Sequence, residues 1–294
     1  MPELPEVETT RRGILPWLQG KKIMKVVVRE PRLRWPISTE LAPELAGQTV
    51  TAVDRRGKYL LMRTRKGTVL IHLGMSGSLR LAVVGEPLKK HDHVDFILAS
   101  GRCLRYHDPR RFGCILWVEG NDAARHPLLA ELGPEPLSSE FTGDYLLAKA
   151  EGKTTPVKAL IMDSQVVVGV GNIYANEALF AAGIDPARKA GTLTIDRCEA
   201  LVREIKTVLD RAINVGGTTL RDFVGGDGKP GYFAQTLQVY GRGGQTCVNC
   251  MNPLKETRQG QRTTVYCPRC QSEQLYCGKP SLQRRGSTLC ASYC

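Results

Sequence analysis

Two groups of residues in this chain have the types and spacing to do chemistry. The first is the N-terminal run Met1-Pro2-Glu3-Leu4-Pro5-Glu6-Val7-Glu8. A small residue at position 2 allows removal of the initiator methionine, which would expose Pro2 as a free secondary amine able to form a Schiff base. An α-amino group has a reference pKa of about 7.7–8.0 against about 10.4 for lysine, so its neutral, nucleophilic fraction near pH 7 is larger by more than about a hundredfold. Glu3 stands beside it as a general acid or base, with Glu6 on the following turn. On composition alone, the same run also reads as an acidic helix start carrying a proline.

The second group is Cys247, Cys250, Cys267 and Cys270, two C-x-x-C pairs separated by sixteen residues. In a reducing compartment four thiolates at this spacing satisfy the tetrahedral preference of zinc, and four ligands leave no open position, so one structural zinc ion is expected. It would stabilise a piece too small to bury its own core. The alternatives, two disulfides or a redox dithiol, lack a secretion signal and a thioredoxin-like βαβ pattern respectively. Lys255, Arg258 and Arg262 lie between the pairs and Arg269 within the second. Together they would put cations on a β-hairpin tip able to enter a groove, or form an ordinary solvated surface. Cys103, Cys114 and Cys198 stand singly in apolar-periodic segments and read as buried thiols. Cys277, Cys290 and Cys294 fall in a terminal stretch.

These groups need a scaffold, and the composition supplies one. The 294 residues are 42% apolar and 24% charged, enough for two domains with buried cores and against disorder. Forty-one Lys and Arg against 29 Asp and Glu leave a charge of +12, which makes nucleic acid the leading partner class. There is no run of 18 uncharged apolar residues, so no membrane span is expected. The acidic start lacks the order of a secretion signal, which makes a cytoplasmic location the expectation.

The pattern along the chain is β-rich, then helical, then ribbon-like. Residues 5 to 18 read as a helix, with Pro5 in its first turn, Glu6 and Glu8 at the positive end of its dipole, and Val7, Ile14 and Leu18 on one face. From Ile23 to about Val118 the runs IMKVVV, TVTAV, YLLMR, TVLIHL, HVDFIL, CLRY and CILWV read as seven or so strands of a sandwich or barrel. Pro127, Pro134 and Pro136 break the pattern. A helix is expected at 195–213, with Thr194 capping its start and Gly216-Gly217 its end. The glycine-rich segment 221–233 reads as a mobile loop. Strand-like pieces interleave with the cysteine pairs from about Leu237.

The chain resembles the bacterial formamidopyrimidine-DNA glycosylases, which remove 8-oxoguanine and ring-opened purines from DNA. The resemblance rests on MPELPEVET at the start, GKYL at 57–60, HLGMSGSLR at 72–80, KHDHVDF at 90–96, DPRRFG at 108–113, VGVGNIYANEALF at 168–180, GKPGYFAQTLQVYGR at 228–242 and the cysteine quartet. It implies an α+β fold: an N-terminal helix plus β-sandwich domain over 1–133, and a helical domain over 134–236. The helical domain would carry the helix–two-turn–helix at roughly 156–180 and a lesion-capping loop. A zinc-finger β-hairpin would follow over 237–271. It also implies a monomer acting on damaged double-stranded DNA, associated with the bacterial nucleoid.

Residue by residue, the resemblance makes Pro2 the nucleophile on deoxyribose C1′, with Glu3 handling the proton transfers. Lys58 lies near the sugar and its phosphates, and Arg262 is the finger arginine of DNA binding and δ-elimination. His91, Arg110, Lys153 and Asn172 fall at DNA-contact positions. Met75, Arg110 and Phe112 match a triad inserted into the duplex when the damaged nucleotide is flipped out. The glycine-rich loop would close over the flipped base. Residues 272–294 continue beyond the family pattern and are expected to be a disordered extension or a reading-frame scar. Two rival readings remain at this point: a sister glycosylase of the endonuclease VIII type that prefers oxidised pyrimidines, and a catalytically dead damage-binding protein on the same scaffold.

Overall fold

The computed structural model describes residues 2–120, 122–216 and 236–272. The expected capping loop at 221–233 and residues 273–294 of the extension, with Cys277, Cys290 and Cys294, lie outside these residues.

Helix α1 (Leu4–Leu18) begins with Pro5 in its first turn, and the Glu6 carboxylate accepts the N–H of Glu3 at 2.9 Å. Two four-stranded antiparallel sheets follow. One has the order β2 (Ala52–Arg56), β3 (Tyr59–Arg63), β4 (Gly67–His72), β8 (Cys114–Glu119), and the other β1 (Ile23–Val28), β6 (Asp92–Leu98), β7 (Arg102–His107), β5 (Ser78–Val83). Period-2 alternation builds the sandwich between them: Leu60, Met62, Val69 and Ile71 face Val94, Phe96, Leu104 and Tyr106, all at most 1% exposed. On the other face of β6 and β7, Asp95 pairs with Arg105 and Arg29, and Asp92 with Arg80 and His107.

Six of the seven expected strands lie within about a residue of their expected places. The TVTAV run is displaced, because β2 starts at Ala52 and runs on through Arg55 and Arg56. Those arginines are held by carboxylates, Arg55 by Glu8 and Glu135 and Arg56 by Glu135, so charge does not end the strand. The added strand is β5, whose SLRLAV follows the glycine-rich LGMSG. Only Leu79 and Ala82 in it are buried, which hides its alternation.

Past the short helices α2 (Leu41–Leu45) and α3 (Pro127–Ala130), a second apolar core gathers α4 (Gly143–Ala150), α5 (Val157–Met162), α6 (Asn172–Ala181) and α7 (Ile195–Asn214). Helix α7 buries Cys198, Leu201, Val202, Ile205, Val208, Leu209, Ala212 and Ile213 as its periodicity predicts. Thr194 takes the N-cap position but its side chain makes no capping hydrogen bond, so the expected cap is absent there. Gly216, at φ 83°, follows the helix end, in the left-handed conformation that favours glycine. Helix α6 is buried from Ile173 to Phe180, Asn176 and Glu177 included, as befits a central helix packed on all sides. No described helix is long and apolar enough to cross a membrane.

The third core is small: Val239, Leu254 and Val265 with Cys247 and Cys267, packed on Phe180 of α6. It carries the hairpin β9 (Lys255–Gln259) and β10 (Arg262–Tyr266). Only Arg262 borders the hairpin tip. Lys255 stands at its base, Arg258 pairs across from Thr263 rather than beside Arg262, and Arg269 lies outside the strands, so the expected cluster of four tip cations is not formed.

Candidate active site

The N-terminal turn is held against the helical core by its backbone and its carboxylates. The N–H of Leu4 donates to Gly169 O at 3.1 Å, and the Tyr174 hydroxyl donates to Glu6 Oε1 at 2.6 Å. The Glu3 carboxylate sits at the start of α6, accepting the N–H of Ile173 at 3.0 Å and of Tyr174 at 3.4 Å. An anion at a helix N-terminus is favoured by the free N–H groups and the dipole. Burial nevertheless wins: it raises the Glu3 pKa above the ordinary carboxylate value, against the lowering by Lys58 and the two N–H groups. A carboxyl held above its ordinary value keeps a proton more readily than a solvent-exposed one, which suits it to deliver that proton. Pro2, next in the chain, is buried.

Lys58, between β2 and β3, brings its Nζ to 3.5 Å from Val170 O. Its pKa is lowered, first by burial and then by the Arg262 charge, while Glu3 and Glu6 act in the opposite sense. Lys58 is therefore within electrostatic reach of both Glu3 and Arg262, although the three come from the N-cap of α1, a β-turn and the hairpin. His72 closes the same region. Burial, then Lys58 and Arg34, lower its pKa to about 4, so the ring is neutral at pH 7, and its Nδ1 accepts the N–H of Gly74 at 3.0 Å.

The hairpin is docked by residues that the sequence reading missed. Lys158 of α5 is 2% exposed, and its Nζ donates to Thr263 O at 3.1 Å and Thr264 Oγ1 at 2.7 Å. Burial, then the neighbouring Arg262, lowers its pKa to about 8. Asn176 accepts the N–H of Val265 at 2.9 Å, and Glu177 accepts those of Gln238, Val239 and Tyr240 at 2.8–2.9 Å. Gln271 donates to Ile184 O at 2.8 Å. Lysine, asparagine and glutamate inside apolar runs were the available signal, since a buried polar group must find partners.

The expected DNA-facing residues divide. Met75 in the β4–β5 turn and Phe112 in the β7–β8 loop are 40% and 43% exposed, which removes the core-packing alternative for both. The Arg110 guanidinium lies 4.8 Å from the centre of the Phe112 ring. Met75, Arg110, Phe112, His72 and Arg262 line one open depression of about 750 Å³ together with Arg32 and Arg34. His91, at φ 76°, precedes β6, and its carbonyl accepts the N–H of Asp108, which ties it to the β7–β8 loop. Asn172 opens α6 and donates a side-chain N–H to Thr263 O at 3.1 Å, so it braces the hairpin. Lys153 is exposed in the turn after α4, and no described contact joins it to Lys58 or Arg262.

The four cysteine Sγ atoms lie within 4.8 Å of one another, with Cys250–Cys267 at 3.4 Å and Cys247–Cys270 at 3.8 Å. Tetrahedral Zn–S bonds of about 2.3 Å require sulfurs about 3.8 Å apart, so the set fits a single zinc ion. The N–H groups of Asn249 and Cys270 each donate to a ligand sulfur at 3.4 Å, orienting the thiolates. Cys103, Cys114 and Cys198 are buried free thiols, as expected.

Comparison with known proteins adds the following. Residues 1–115 match the formamidopyrimidine-DNA glycosylase N-terminal domain, 132–224 the formamidopyrimidine-DNA glycosylase H2TH domain, and 244–272 the zinc finger found in FPG and IleRS. The formamidopyrimidine-DNA glycosylase of Cellvibrio japonicus is 60% identical over 271 residues, covering 92% of this chain and all of that protein. That of Marinobacter nauticus is 58% identical with the same coverage. Among solved structures, Lactococcus lactis Fpg in complex with abasic-site DNA superposes with TM-score 0.86 at 33% identity, covering 92% of this chain and 100% of that one. The Thermus thermophilus MutM (FPG) protein superposes with TM-score 0.83 at 40% identity, with 92% and 98% coverage.

Proposed function

The chain belongs to the formamidopyrimidine-DNA glycosylase family, and from that premise we propose how its residues divide the work of a DNA glycosylase and abasic-site lyase. It acts on formamidopyrimidine and abasic-site DNA, as its relatives do. Its substrate range extends to 8-oxoguanine, and it works as a cytoplasmic monomer on duplex DNA.

The observation that carries the reading is the buried Glu3 carboxyl, fixed by α6 directly after Pro2 and within the field of Lys58, which in turn feels Arg262. In the processed chain the Pro2 nitrogen attacks C1′ of the flipped nucleotide, and the C1′–N bond to the base breaks. Glu3 supplies and recovers the protons as the sugar ring opens to an iminium. That cation acidifies the C2′–H bond, so loss of the proton expels the 3′-phosphate, and a second elimination expels the 5′-phosphate. Lys58 and Arg262 hold the departing phosphates by charge. His91, Arg110, Lys153 and Asn172 contact the DNA, and Met75, Arg110 and Phe112 fill the space the nucleotide leaves. Cys247, Cys250, Cys267 and Cys270 hold one zinc ion, whose coordination folds the piece that carries Arg262.

The domain limits that follow are 1–133, 134–236 and 237–271, with 272–294 as an extension. The test is excision from duplexes carrying 8-oxoguanine opposite cytosine or thymine glycol. Faster release of 8-oxoguanine is expected, and faster release of thymine glycol would favour the endonuclease VIII-type reading.

A further inference from the structure

We propose that Asp108 is a positioning residue that couples the two insertion loops into one wedge, so that Met75, Arg110 and Phe112 enter the duplex together. The proposal rests on the reading of those three side chains as the duplex-inserting residues.

Asp108 is 0% exposed, yet no lysine or arginine among the described residues pairs with it. Its charge is met by hydrogen bonds that span both loops. Oδ1 accepts the Ser76 hydroxyl of the β4–β5 turn at 2.7 Å. Oδ2 accepts the N–H of Gly113, in the β7–β8 loop, at 2.9 Å and the Tyr106 hydroxyl at 3.1 Å. The Ser76 oxygen in turn accepts the N–H of Arg110 at 3.2 Å. Met75 therefore neighbours one end of this bridge, while Arg110 is held by it directly and Phe112 neighbours the other.

The backbones already touch. A Cβ on Gly74 would lie 2.4 Å from both Phe112 C and Gly113 N, and one on Gly113 would lie 1.9 Å from the Tyr106 hydroxyl. Arg111, between the two wedge residues of its loop, adopts φ 56°, a conformation costly for a non-glycine residue and kept only where its surroundings fix it. A buried carboxylate bonded to both loops makes their relative position two-valued, either bridged or broken, rather than freely adjustable. Three exposed side chains on independently moving loops would each lose conformational entropy on entering the stack. On a bridged pair of loops the backbone part of that ordering is complete before DNA binds.

The bridge acts on opening of the duplex and recognition of the orphaned base, not on bond breaking. The test uses the full chain with the variants Ser76→Ala, Asp108→Asn and Met75→Ala. Two substrates are compared under single-turnover conditions: a duplex carrying 8-oxoguanine, and a single-stranded abasic oligonucleotide that has no stack to enter. Ser76→Ala and Asp108→Asn are expected to slow duplex excision about tenfold or more, since small misplacements of positioning groups carry costs of that order. They should also narrow the preference for cytosine over adenine opposite the lesion. Single-strand cleavage should stay within about twofold of wild type, the mark of a lost positioning role rather than lost chemistry. Equal losses on both substrates, or no loss on the duplex while Met75→Ala is impaired, would overturn the bridge. Unimpaired duplex excision by Met75→Ala would instead remove the wedge reading beneath it.

Discussion

The Glu3 carboxylate accepts the backbone N–H of Ile173 at 3.0 Å, joining the first turn of the chain to a helix 170 residues later. The space for this contact exists because position 171 is glycine: a Cβ there would lie 2.2 Å from Glu3 Cδ and 2.4 Å from Oε1. Gly171 has φ −118°, so alanine meets no backbone strain, and the conflict is with Glu3 alone among the groups named. Gly171→Ala is expected to lower glycosylase turnover about a hundredfold while leaving DNA affinity close to wild type. Single-turnover excision and a binding titration check this. Full activity would show that Glu3 need not sit at the α6 N-terminus.

Lys58 gives a pH signature. Burial, with help from the Arg262 charge, lowers its pKa below that of an ordinary lysine, so its positive charge is lost earlier as pH rises. If that charge holds phosphate, strand cleavage falls on an alkaline limb lying below the usual lysine value near 10.4. Lys58→Arg should move that limb to higher pH, since guanidinium stays protonated. The measurement is cleavage rate against pH for both proteins. An unmoved limb would assign it to another group.

Removing the metal should separate the hairpin from the rest. The finger core holds only a few apolar side chains, and the four sulfurs contribute much of what encloses it. Chelation, or Cys250→Ser, is expected to release one zinc ion per chain and abolish tight DNA binding, because Arg262 and the strand that Lys158 holds lose their frame. The sandwich and helical cores are separate clusters and should still melt cooperatively. Metal analysis beside a thermal melt shows both outcomes.

The charged face of the second sheet predicts acid sensitivity. Burial alone would raise the Asp92 pKa, but its bonds to Arg80, the Lys89 N–H and His107 outweigh that and hold it at about 2. The folded value lies below the unfolded one near 3.9, so the stabilisation is complete above about pH 4 and is lost as pH falls toward about 2. Glu8, also held at about 2 by Arg11 and Arg12 against its burial, adds in the same sense. Asp92→Asn should lower Tm at pH 7 and flatten the fall in Tm between about pH 4 and 2. A parallel curve would contradict the assignment.

Local pattern made the sandwich and α7 legible, because alternation and 3.6-residue periodicity are written by burial on one face. The cysteine quartet was legible from spacing alone, as ligand geometry fixes it. Strand β5 was obscured, since it buries only Leu79 and Ala82 and follows a glycine-rich turn. The N-terminal chemistry was ambiguous by itself: MPELPEVE reads as a free-amine nucleophile with a neighbouring carboxylate or as an acidic helix start, and the resemblance tipped the reading toward Pro2 and Glu3. The partners of Glu3 are main-chain N–H groups of residues 173 and 174, and a backbone donor has no side-chain identity to read. Lys158, Glu177 and Asp108 were missed for a related reason. Each is a charged residue whose role appears only once the fold brings distant backbone or hydroxyl groups to it.

In the proposed reaction everything follows from the covalent bond that the Pro2 nitrogen forms to the sugar. Borohydride reduction in the presence of an abasic-site duplex, followed by proteolysis and mass spectrometry of the adduct, measures this directly. One cross-linked N-terminal peptide with the sugar on Pro2 is expected, and no adduct in protein that keeps Met1. An adduct on Lys58, or one formed equally well with Met1 in place, would contradict it.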